Sequence, residues 1–162
     1  MKVVFKRFLF LLLSVAVALS VASCGSTQEV SFGGLSIEIP KEFEAKNVEF
    51  TQCCYTSDKV MLMIDVFLTE DIYDQLGYDS KITLTEYMEE FCRLNGQKDI
   101  TYDEERGRAH YTEHNPDGDR YYSYYFFRTD RALYFLSFNC LIEYESEFVE
   151  LFDTWADTIE VK

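Results

Sequence analysis

Lys59-Val60-Met61-Leu62-Met63-Ile64-Asp65-Val66-Phe67-Leu68 is the stretch that decides the fold. Val60, Leu62, Ile64, Val66 and Leu68 recur with the two-residue period of a β-strand and make one continuous apolar face. Met61, Met63 and Phe67 make the other face mostly apolar too, interrupted by Asp65. Thr56-Ser57-Asp58 just upstream is turn-forming, so this strand pairs as a hairpin with a second strand drawn from Val48 to Tyr55. Further upstream, Leu35 to Ile39 alternates apolar and polar residues until Pro40 stops it, which points Leu35, Ile37 and Ile39 inward.

Downstream, Glu70 to Asp79 is acidic, contains Gly77, and reads as a loop or one helical turn. Thr83 and Glu86 have the spacing of a capping box. Leu84, Tyr87, Met88, Phe91 and Cys92 then form the apolar stripe of a helix that Asn95-Gly96 ends. Four further strands follow, at Ile100–Asp103, Arg108–Glu113, Arg120–Arg128 and Arg131–Ile142. The run from His114 to Asp119 is a turn, and Thr129-Asp130 a tight hairpin link. Ser146 is placed to cap a second helix, with Phe148, Leu151, Phe152, Trp155 and Ile159 on its apolar stripe and a short strand closing the chain near Ile159 to Val161. Strands, helix, strands, helix is the order of an α+β fold: an antiparallel β-sheet packed with two amphipathic helices.

Phe32-Gly33-Gly34-Leu35-Ser36-Ile37-Glu38-Ile39-Pro40-Lys41-Glu42-Phe43 resembles the opening of the PsbP/Mog1-like superfamily, a strand ending in Ile-Pro followed by a short bulky segment. The helix, the long tyrosine-rich hairpin and the closing amphipathic helix come in the same order. The resemblance implies an α/β sandwich. It also implies a binding or assembly-assisting role, since members mostly act so and are mostly not enzymes. It supplies no catalytic residues to carry over.

The first two dozen residues say where the protein resides. Lys2, Lys6 and Arg7 precede an apolar run from Phe8 to Ala18 and then small residues, the layout of a secretory signal peptide. Val21-Ala22-Ser23-Cys24 resembles the bacterial lipoprotein box, which implies cleavage before Cys24 and a diacylglycerol on its sulfur. The expected organisation is a leader over residues 1–23, a lipidated Cys24 with a tether to residue 29, and one domain over 30–162. The protein is then extracytoplasmic, held to the cell membrane or the outer membrane.

The chain has 15 basic and 29 acidic residues, and the leader contains three of the basic ones and none of the acidic. The remainder therefore has 12 against 29, a net charge of −17. Such a surface repels phosphate backbones, which excludes nucleic acid as a partner, and repels anionic lipid, so the anchor and not electrostatics must hold the domain to a membrane. The chain contains no Walker loop, no Gly-x-Ser-x-Gly and no dinucleotide fingerprint, so no catalytic residue, metal or cofactor is assigned.

Four cysteines remain beyond Cys24, in a compartment that permits disulfides. Cys92 on the helix stripe and Cys140 on the apolar side of its strand would meet at a helix–sheet interface as a disulfide; buried free thiols are the alternative. His110 and His114 would lie about 13 Å apart on one strand, too far for one metal ion. Asn115, Asp117 and Asp119 lack the spacing of a calcium loop and suit a Pro-Asp-Gly turn. Tyr121 to Phe127 is aromatic on both faces. Either Tyr122, Tyr124 and Phe126 form an open contact surface, or the Glu70–Tyr78 segment and the N-terminal region cover them. The leading expectation is a membrane-anchored, non-enzymatic binding or assembly protein with an envelope protein as partner. The alternatives are an envelope hydrolase or metal-dependent enzyme that gathers His110 with carboxylates, and a carrier of a small ligand or cation.

The leader reading is checked by metabolic labelling with an alkyne fatty acid. The wild-type chain takes the label and fractionates with membranes; Cys24→Ala takes none and keeps its leader.

Overall fold

The computed structural model describes residues 26–69 and 82–162. The leader, Cys24 and the Glu70–Asp79 segment lie outside the described residues. Two sheets and two helices make up the rest. Strands β3 (Glu44–Lys46), β4 (Cys53–Thr56), β5 (Val60–Leu68), β6 (Thr101–Asp103), β7 (Arg108–Glu113), β8 (Arg120–Arg128) and β9 (Ala132–Leu141) form a seven-stranded sheet in the order β3-β4-β5-β9-β8-β7-β6. Every pairing in it is antiparallel. β1 (Thr27–Phe32), β2 (Leu35–Pro40) and β10 (Glu160–Val161) make a second sheet of three. Helices α1 (Leu84–Leu94) and α2 (Glu145–Ala156) complete the fold. This is the α+β architecture that the alternation of strands and helices implies.

β9 is the centre. It pairs with β5 from Val60↔Cys140 to Leu68↔Ala132, and with β8 from Arg120↔Leu141 to Arg128↔Leu133. Every residue from Ala132 to Cys140 is buried. A strand buried on both faces needs a layer on each side. Leu62 and Ile64, Leu136, Phe138 and Cys140, and Tyr121 and Tyr125 face one way. They pack under Phe148, Phe152 and Trp155 of α2 and under Val30, Leu35, Ile37 and Ile39 of the small sheet. Leu133, Phe135, Tyr124, Phe126, Ala109 and Tyr111 face the other way, under Tyr87, Met88 and Cys92 of α1.

The two helices thus cover opposite faces, and this separates the cysteines expected to pair. Cys140 has the parity of Leu136 and Phe138 and faces α2, whereas Cys92 faces the other side of the sheet. Cys53, Cys54, Cys92 and Cys140 are all free thiols. Burial pushes the Cys92 and Cys140 thiols up to about 11, so both stay protonated and unreactive.

Three boundaries differ from the expected ones. The domain begins earlier than residue 30: Thr27–Phe32 is a strand paired with β2, so residues 27–29 are not tether. Ser26 already accepts a hydrogen bond from the Lys41 amide (2.9 Å). Only Val30 and Phe32 supply an apolar alternation there, too little to register as a strand. Gly33 and Gly34 join β1 to β2 with φ of +59° and +92°, and a Cβ on Gly33 would sit 2.7 Å from Val66 Cγ2. Glycine suits both requirements. The second strand is confined to Cys53–Thr56, because residues 47–52 leave the sheet to make a loop. Finally, α2 grows out of a 3-10 turn at Ile142–Tyr144, with Tyr144 rather than Ser146 at its N-cap and no side-chain cap bond. The Thr83–Glu86 capping box of α1 is formed in both directions.

With no disulfide among these four residues, alkylation of the unfolded, unreduced protein should modify all four, and reductant should leave the melting temperature unchanged. A shortfall of two labels together with a fall in melting temperature would contradict the assigned faces.

Candidate aromatic groove

The tyrosine-rich face of β8 is not open. α1 crosses it and sets Tyr87 edge-on to Phe126 (ring centroids 6.0 Å) and Phe91 edge-on to Tyr124 (6.2 Å). Tyr124 and Phe126 are left 5% and 1% exposed. Tyr122 is half-buried and stacks on Tyr111 at 4.9 Å. The suggested contact surface of Tyr122, Tyr124 and Phe126 is therefore the seat of a helix. The cover is α1, not the N-terminal region, because the amphipathic stripe of α1 needs an apolar sheet face of its own.

Among the described residues α1 packs on β7, β8 and β9, and the β5 part of this face is only partly buried. Met63, Asp65 and Phe67 project there, each half-buried. The 47–52 loop closes over them from the other side, and its position depends on Asp65. Asp65 Oδ1 accepts hydrogen bonds from the Gln52 amide (2.7 Å) and the Thr51 hydroxyl (3.0 Å). Gln52 then uses its side-chain amide on the β5 backbone. Nε2 donates to the Val66 carbonyl (3.0 Å) and Oε1 accepts from the Val66 amide (3.1 Å).

Between the loop and the end of α1 runs a groove of about 490 Å³, the size of a ligand site. Phe67, Phe91, Phe135 and Tyr124 wall it, Met63 and Asp65 lie inside, and Glu49 and Phe50 stand at the loop side. Phe50 is 70% exposed, the most exposed large apolar side chain described. Burial raises the Asp65 pKa, against the two hydrogen bonds that lower it. At the inner end Gln97 Nε2 donates to the Tyr124 hydroxyl (2.7 Å) and reaches that of Tyr111 (3.2 Å), and the two hydroxyls are 2.6 Å apart. Burial keeps both phenols protonated. Gln97 Oε1 is buried and has no hydrogen-bond partner among the described residues. Of the sequence-named trio, Tyr124 alone lines the groove.

A second polar constellation lies under α2. Arg108 donates from Nε to Ser123 Oγ (3.0 Å), from Nη2 to the Tyr121 hydroxyl (2.9 Å) and from Nη1 to Asp153 Oδ2 (2.8 Å). Tyr125 donates to the other Asp153 oxygen at 2.6 Å. His110 Nδ1 is 3.2 Å from the Tyr121 hydroxyl, and burial and then Arg108 lower its pKa. His114 leaves the strand and pairs with Asp119 at 2.8 Å. No group of three or more His, Cys, Asp or Glu that could hold a metal ion occurs among the described residues. The Asn115–Gly118 segment is a turn closed by a hydrogen bond from the Gly118 amide to the Asn115 carbonyl (3.0 Å).

The fold so described is the PsbP/Mog1-like α+β fold. The chain is similar to the solution structure of cyanobacterial PsbP from Synechocystis sp. PCC 6803 (TM-score 0.50, 16% identity, 86% of this chain and 98% of that one). It is also similar to the Ran-binding protein Mog1p of Saccharomyces cerevisiae (TM-score 0.53, 14% identity, 85% of this chain and 96% of that one). A structure from Bacteroides thetaiotaomicron aligns as well, with TM-score 0.51 and 9% identity, over 85% of this chain and 48% of that one. No family model and no curated protein sequence matches the chain.

Asp65 holds a charge where burial opposes it. Its folded pKa lies above the ordinary 3.8, so the native state binds the proton more tightly and stability falls as pH rises above that value. Asp65→Asn keeps an oxygen to accept from Thr51 and Gln52 but removes the charge. The variant should melt at or above the wild-type temperature at pH 7, with the difference closing near pH 3. Thermal melts across that range check it.

Proposed function

We propose that this chain is a membrane-anchored bacterial lipoprotein that binds a protein partner in the cell envelope, or assists its assembly, without catalysing a reaction. The observation that carries this reading is the groove: an aromatic-walled opening with an exposed phenylalanine at its mouth and a desolvated carboxylate inside. Exposed apolar side chains beside a concavity mark interaction sites. The leader supplies the location, outside the inner membrane, with Cys24 as the lipid attachment.

The short link supports that placement. One residue, Gly25, lies between Cys24 and Ser26, which is hydrogen-bonded to Lys41. At full extension the two Cα-to-Cα steps span about 7 Å. The domain is thus held close to the lipid, by its three-stranded sheet. The groove opens on the opposite face of the seven-stranded sheet, away from the β1 layer. That arrangement suits a protein partner better than a lipid.

Photo-crosslinking in intact cells tests the reading. A photoreactive residue at Phe50 of the full-length lipidated protein should join one protein species. The same residue at Leu151, exposed on the α2 side, should not. Equal products from both positions, or a product from Leu151 alone, would sink the groove as the contact site.

A further inference from the structure

We propose that the groove receives a positively charged side chain, arginine or lysine, from an extended segment of the partner protein. This rests on the reading of the groove as a protein-binding site and adds the chemistry of its occupant.

Charge sets the first constraint. The groove lining contains two carboxylates, Asp65 and Glu49, and among the described residues that line it none is lysine, arginine or histidine. Asp65 is a prepared acceptor. Its Oδ1 is held by the Gln52 amide and the Thr51 hydroxyl, whereas Oδ2 takes no hydrogen bond from the described residues. A carboxylate fixed on one oxygen offers the other in a set direction, so an incoming donor loses less freedom in meeting it. Charge-assisted hydrogen bonds of this kind are the strong ones. An anionic occupant would be repelled. A purely apolar one would bury Asp65 further without compensation.

The walls set the second constraint. Phe67, Phe91, Phe135 and Tyr124 line the groove. Aromatic faces attract ammonium and guanidinium groups, and the methylene stems of lysine and arginine pack along apolar side chains such as Met63. The combination of aromatic walls, the Met63 side chain and one oriented carboxylate matches a cation on an aliphatic stem.

The rim decides between a free amine and a protein. Phe50, which lines the opening, is 70% exposed. A small amine lodged beside Asp65 leaves it in water; a peptide segment running over the mouth covers it. The net charge of −17 beyond the leader, 12 basic against 29 acidic residues, favours a basic partner over an acidic one at long range as well.

The test titrates the full-length protein in neutral detergent micelles with fluorescent pentapeptides. They share one sequence, Ala-Leu-X-Leu-Ala, with X as arginine, lysine or citrulline, and n-butylguanidinium serves as the free cation. The arginine and lysine peptides should bind at least tenfold more tightly than citrulline, which keeps the shape and loses the charge. Asp65→Asn should reduce them to the citrulline level with the melting temperature retained. Phe50→Ser, at a position too exposed to disturb the core, should weaken them severalfold. Equal binding of citrulline, or undiminished binding by Asp65→Asn, would overturn the cationic occupant. Binding of n-butylguanidinium as tight as the arginine peptide would overturn the protein source. If the peptides fail while the Phe50 crosslink persists, the groove is still a protein site and its occupant is of another chemistry; if the crosslink fails too, both readings fall.

Discussion

The structure depends on one constraint: β9 is buried along its length on both faces. A central strand of this kind cannot be half of a simple two-layer packing, because each of its faces loses contact with water only under a separate layer. Phe138, with no measurable exposure, and Leu133, at 1%, are five residues apart on one strand and sit in different cores. One layer is made of α2 and the three-stranded sheet, the other of α1. The two are unequal. The first combines a helix with strands and closes its face. Among the described residues the second is a single helix of 11 residues on a seven-stranded sheet, and the groove forms beside it.

On the α2 side the core is not purely apolar. Arg108 is 8% exposed, and its fork is satisfied by Ser123, Tyr121 and Asp153. Buried ion pairs gain little net stability over apolar packing, but one partner left alone is costly. The network therefore acts as a position lock. Asp153 must lie over Arg108 and Tyr125 at once, which fixes where α2 can rest along β7 and β8. The cation–π approach of Arg108 to the Tyr125 ring, 5.7 Å from its centroid, follows from the same placement.

Much of the fold was legible because period is a local property. The alternation of Leu35, Ile37 and Ile39, the apolar face of β5, the Thr83–Glu86 box and the stripe of α2 each declare an element from residues close in sequence. Period shows that an element has an apolar side but not which face of a sheet receives it. That gap accounts for the two corrections that matter. Cys92 and Cys140 both sit on apolar sides, yet of different layers, and the aromatic face of β8 had no helix assigned to it because the stripe of α1 does not say which face it covers. The groove was less legible still. It arises from residues 49–52 meeting Asp65, a contact made by a loop leaving the sheet. The one available signal was Asp65 itself, a carboxylate interrupting an otherwise apolar strand face.

The Gln52 side chain has a consequence for how anything can be held in the groove. Past the end of β4, the Val66 amide and carbonyl would be an unpaired step on the β5 edge, and such steps invite a foreign strand. Gln52 occupies both with its own amide, as a one-residue surrogate for the missing strand. Main-chain augmentation at that step is thereby forestalled. Recognition beside it must be read out by side chains, so the site discriminates by the character of what projects into it and not by the generic backbone ladder that any extended polypeptide could offer.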